Sequence, residues 1–161
     1  MTTRPSDAAR LLQILNSETE AVSLFVVVLK KEQKALAQGD TEALPTLVEE
    51  KNVLGGQLAT LATQRNVLLA GQGLAGDRPG VEAWCAGHPE EKVVAAAWAG
   101  VLELAREAKE LNRLNGELIA LRMQHNARAL EALRSGNNPL DLYGPDGQAQ
   151  PPNRLRINDS V

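Results

Sequence analysis

From Pro89 to Ser135-Gly136 the chain runs without a helix breaker, and within that stretch one side-chain pattern returns every seven residues. Val94, Val101, Ala108, Asn115, Arg122 and Ala129 form one row. Ala97, Leu104, Leu111, Leu118, His125 and Ala132 form its companion. A strand repeats every two residues, so a sustained seven-residue pattern demands a helix packed along other helices. At 1.5 Å per residue its roughly 45 residues reach about 70 Å. The proline at 89, followed by Glu90 and Glu91, marks the start. Aromatic residues are only 2% of a chain that is 43% hydrophobic, leaving Leu, Val and Ala to build the core. Helices lying side by side need only such medium-sized side chains at their seam.

Two more long helices are predicted upstream. Ser6 is a suitable N-cap with Asp7 in the first turn, and Ala8, Leu11, Leu15, Val22, Phe25, Leu29 and Leu36 follow at helical spacing, interrupted by Glu18 and Glu32. Gly39 suits the left-handed C-terminal position. Asp40 reads as the cap of the next helix after a tight turn, which makes the pair antiparallel. The second stripe is Leu44, Leu47, Leu54, Leu58, Leu61 and Leu68, with Pro45 near its first turn and Gly55-Gly56 as a kink, a close crossing or a tolerated weak point,. The segment 71–80, GQGLAGDRPG, reads as a flexible loop, and Val81 to Cys85 as one short turn whose Trp84 covers the open end of the bundle. The expected fold is all-α: a coiled-coil-like antiparallel bundle of three long helices over residues 1–136, then a disordered C-terminal tail over 137–161.

Several function classes are disfavoured. A net charge of −3, with 17 basic residues among 20 acidic ones, does not suit nucleic acid,. Cys85 is the sole cysteine, which fits a reducing compartment,. The start MTTRPSDAAR lacks a secretory pattern, and the apolar run Ala21 to Leu29 is far shorter than the ~20 residues of a membrane span. A cytoplasmic protein not embedded in a membrane is expected. Cys85 and His88 are two ligands where structural zinc wants four, and His125 is the only other histidine,. No Walker-type loop is present. His125 on a helix invites a phosphotransfer reading, but the run His125-Asn126-Ala127-Arg128-Ala129-Leu130 lacks the lysine and glycine expected beside such a site. Neither enzymatic activity nor a metal or other cofactor is expected.

The distal half of the last helix carries Asn115, Arg122 and His125 in its seam, flanked by Asn112 and Asn126, beside an apolar ridge of Leu118, Ile119, Leu121, Leu130 and Leu133. Polar groups in a closed core each need a buried partner. This half therefore reads as a partner-facing surface. The alternatives are ordinary core with satisfied polar groups, or packing against a second copy in a homodimer. The tail has no helical period, yet it clusters Leu140, Leu142 and Tyr143, the only tyrosine, before the turn Gly144-Pro145-Asp146-Gly147,. A mobile arm with one aromatic anchor suits binding on contact; the alternative is an anchor folded back onto the bundle.

Gly39-Asp40 between long helices, Lys51 followed by Leu54 and Leu58, and Arg65 with Leu68-Leu69 begin a recognisable series. It continues with Leu111-Asn112-Arg113-Leu114-Asn115-Gly116-Glu117-Leu118-Ile119 and ends with Leu142-Tyr143-Gly144-Pro145-Asp146-Gly147-Gln148. Over nearly its whole length the sequence resembles the FlgN-type flagellar export chaperones. The resemblance implies a cytosolic, non-enzymatic chaperone. It would hold the terminal helices of hook-filament junction proteins of the FlgK and FlgL type and deliver them to the flagellar type III export gate. It implies client binding through Asn112, Asn115, Gly116, Leu118, Ile119, Arg122, Ala129 and Leu133. It further implies docking to the gate protein FlhA through Leu142, Tyr143, Gly144, Asp146 and Gly147. A self-associating coiled-coil adaptor is the rival binding function, and phosphotransfer at His125 the rival enzymatic one.

Overall fold

A computed structural model describes the backbone of residues 6–137 and the side chains of 6–135. The described residues form four helices: α1 (Asp7–Gln38), α2 (Leu44–Ala70), α3 (Asp77–Gly87) and α4 (Lys92–Asn137). They fall into two units, Met1–Gly116 and Glu117–Val161. The expected tail lies outside the described residues.

Local sequence explains the helix ends of the first unit. Ser6 Oγ accepts from the Ala9 N–H at 3.1 Å, satisfying one of the donors a helix start leaves open. Gly39 closes α1 in the left-handed region at φ 72°, and its N–H meets the carbonyls of Ala35 and Leu36,. Asp40 does not cap α2 directly. Its Oδ1 accepts from the Ala43 N–H at 3.4 Å, and the helix starts at Leu44 with Pro45 in its first turn. There the proline's missing N–H costs nothing.

The count of helices corrects the expectation of three. Asp77–Gly87, read as half loop and half single turn, is an 11-residue helix. Its start is built by a residue from α2: Asn66 Oδ1 accepts from the Asp77 N–H at 2.8 Å, and Asn66 Nδ2 donates to Asp77 Oδ1 at 3.1 Å. Asp77 itself sits at φ 60°, where Asp is among the tolerated non-glycine residues. Gly80 is held where a Cβ would lie 1.7 Å from the Ala75 carbonyl oxygen. Gly80→Ala should therefore force a backbone shift and lower stability by about 1–3 kcal/mol in a denaturant titration.

In the first unit α1 and α2 are antiparallel, since Glu18 meets Arg65 and Glu32 meets Lys51. The first part of α4 runs parallel to α1. Its Val94, Trp98 and Val101 join Leu11 and Leu15, while Asn115 reaches Leu29 and Glu32. The main core gathers Leu11, Leu15, Leu68, Leu69, Val81, Trp84, Val94, Trp98 and Val101. Trp84 of α3 is buried there, as expected of a cover residue, with its Nε1–H donating to Gln72 Oε1 at 3.0 Å. A second cluster joins Val28 and Ala35 of α1 to Leu47 and Leu54 of α2. By length and composition alone α1 is apolar enough to cross a membrane, which the short run Ala21 to Leu29 did not suggest. Its buried face, however, packs in this core and carries two charged residues, Glu18 and Glu32.

Candidate functional site

The two interruptions of the α1 stripe, Glu18 and Glu32, are buried, and each faces a cation from α2. Arg65 is itself buried. It donates from Nη1 to Glu18 Oε2, lies 3.7 Å through Nη2 from Asp77 Oδ1, and stacks 5.2 Å above the Trp98 ring. One guanidinium thus ties together all four helices of the unit. Burial pushes the Glu18 carboxyl above the usual glutamate range, against the opposing hydrogen bond and charge of Arg65. A carboxyl whose folded pKa is raised binds its proton more tightly in the folded state. Stability is then highest on the acid side of that pair of values and falls as pH rises from the unfolded glutamate pKa through the folded one. Glu18→Gln should flatten that slope in melting curves taken across the acid range, while a slope of undiminished size would assign it elsewhere.

The second centre joins Lys51, Glu32, Asn112 and Asn115. Lys51 Nζ contacts both Glu32 oxygens at 3.2 Å and Asn112 Oδ1 at 3.3 Å. Asn115, only 1% exposed, donates from Nδ2 to Leu29 O at 2.9 Å and Glu32 Oε1 at 2.8 Å. Its amide is committed to α1, inside the bundle rather than on an outer surface. Of the remaining expected client contacts in this unit, Asn112 is exposed but held by Lys51, and Gly116 is exposed with nothing near a Cβ.

In the second unit the distal part of α4 places Leu118, Arg122, Ala129 and Leu133 along one helical face by their spacing of four, seven and four, with Ile119 beside them. Leu118 and Arg122 are half-buried, whereas Ile119, Ala129 and Leu133 are exposed. Leu121, Met123 and Leu130 are exposed as well, Met123 to 66%. Several large apolar side chains exposed to water on one helix are what a contact surface presents,. His125 is also exposed there. Leu142, Tyr143, Gly144, Asp146 and Gly147 lie outside the described residues.

No group of three or more metal-binding side chains occurs among the described residues. His88 is engaged: its ring stacks on Trp84 at 4.0 Å between centroids, and Nδ1 lies 2.8 Å from the Trp84 carbonyl. Burial, with Glu82 nearby, holds the Cys85 thiol above its ordinary pKa, which keeps it protonated,.

These features define an all-α protein with an ion-paired helical first unit and a helix in the second whose apolar side chains face water. The family model for FlgN protein matches residues 1–151, and the chain belongs to the FlgN family. It is 30% identical over 142 residues to a flagella synthesis protein FlgN of Proteus mirabilis, covering 87% of this chain and 90% of that one. A Salmonella typhimurium protein of the same name is 30% identical over 141 residues, covering 86% and 89%. One from Yersinia enterocolitica is 27% identical over 148 residues, covering 88% and 90%. No solved structure matches the chain. All three relatives are named for flagella synthesis.

Proposed function

We propose that this chain is a cytosolic export chaperone for hook-filament junction proteins of the FlgK and FlgL type, and that it delivers them to the flagellar export gate. The carrying observation is the solvent-exposed apolar row of the distal α4, Ile119, Met123, Leu130 and Leu133, in a chain of the FlgN family. An amphipathic terminal helix of the client covers this row, each partner supplying the apolar face the other lacks. Leu118, Ile119, Arg122, Ala129 and Leu133 are the proposed contacts, with Asn112 and Gly116 next to them in sequence. Asn115 is assigned a different task, fixing α4 against α1.

Docking to the gate protein FlhA is proposed for the tail segment of Leu142, Tyr143, Gly144, Asp146 and Gly147. Tyr143→Ala should leave co-purification with a co-expressed FlgK-type protein unchanged while reducing its export. Loss of co-purification in that variant would place Tyr143 in the client contact and overturn the division between helix and tail.

A further inference from the structure

The outer side of the α1–α2 pair is not closed. Two adjoining stretches of groove, about 680 and 500 Å³, share Leu24 and extend along α1 from Ser17 to Lys31. Leu24, Val27 and Val53 stand in the groove, all roughly half exposed or more. Gly56 in the wall presents no side chain, and nothing lies within 4 Å of where its Cβ would be. An apolar channel of this kind accepts the side chains of a helix laid along it.

The same chain carries a helix of matching character. Ile119, Met123, Leu130 and Leu133 recur at four, seven and three residues, one face of the distal α4,. From Ile119 to Leu133 that face rises about 21 Å, and the groove from Ser17 to Lys31 spans the same number of residues and so about 21 Å. Charge agrees with length. The groove is edged by Glu20, Glu49 and Glu50 against a single Lys31. The helical face is bordered by Arg122 on one side and Arg134 on the other, and Arg134 is 73% exposed, with Glu131 only at 4.0 Å.

We propose that the α1–α2 groove receives the distal α4 of a second copy of this chain, two copies exchanging these helices reciprocally. Both apolar surfaces are then removed from water in one symmetric contact, in which the same two patches serve each copy. The ridge is the one assigned above to the client, so a client helix and a second copy compete for it. Self-association does not require that assignment, because a ridge that binds no client still fits the groove.

Sedimentation velocity of the full chain alone, across a range of concentrations, reads the contact directly. A concentration-dependent dimer is expected. Leu24→Arg in the groove and Leu130→Glu on the ridge should each return it to monomer with the helical circular dichroism unchanged, both residues being exposed. In a Cys85→Ser background, mixing Leu24→Cys with Leu130→Cys chains under oxidation should give a disulfide-linked heterodimer in preference to either homodimer. A chain that stays monomeric throughout, or a dimer indifferent to Leu24→Arg, overturns the proposal. So does a Leu24→Arg chain that still dimerises but loses its FlgK-type client, which would make the groove a client site. Failure of client binding with an intact, Leu24-dependent dimer would overturn only the chaperone reading.

Discussion

Replacing Arg65 with alanine is expected to lower the unfolding free energy by about 3–5 kcal/mol, the usual consequence of leaving one member of a buried ion pair alone. Three contacts go at once: the Glu18 carboxylate, the approach to Asp77 at the start of α3, and the stack on Trp98. Glu18 would remain in the interior with no cation beside it. The loss belongs to the orphaned charge more than to the pair. Glu18→Leu combined with Arg65→Leu should therefore recover most of it, because apolar replacement of a buried pair is often neutral or stabilising by about 1–4 kcal/mol. Urea titrations of the two variants check this. Equal destabilisation in both would show that packing around Arg65, rather than its charge, holds the helices together.

The second large effect falls on binding. Ile119→Glu with Leu133→Glu should weaken a FlgK-type complex at least about a hundredfold, since burying each side chain contributes roughly 1.5–3 kcal/mol and each 1.4 kcal/mol is a factor of ten. Both side chains are already exposed, to 41% and 58%, so fold stability should change little. A double variant that melts as the parent but binds the client with unchanged affinity would move the client to another surface.

Much of this was legible in the residues. The seam from Val94 through Leu111 is buried or half-buried as its seven-residue repeat demands, and Ser6 and Gly39 bound α1 as their chemistry requires. The pairing of charges was also written there, though less openly. Glu18 and Glu32 lie fourteen residues apart in the α1 stripe, and Lys51 and Arg65 lie fourteen apart in the gaps of the α2 stripe. Antiparallel helices match two such spacings in one register, and a slip would bury each carboxylate against leucine. We read the pairs as setting register more than adding stability.

What the sequence hid depends on distant partners. The helix α3 begins because Asn66, eleven residues earlier, supplies the acceptor for its first N–H, and glycine-rich composition pointed to a loop. Asn115 looked like a polar group left for a client, and only the positions of Leu29 and Glu32 reveal its donors as used. The outer groove of α1 and α2 was invisible for the same reason, since a stripe shows which face packs but not which face remains open.

Isothermal titration of the full chain with the terminal helical segment of a FlgK-type protein tests the chaperone function most directly. Saturable binding that the Ile119→Glu/Leu133→Glu chain loses, while the Tyr143→Ala chain retains it, is the predicted result. No heat of binding with any hook-filament junction segment, from a chain whose helical content is intact, would contradict it.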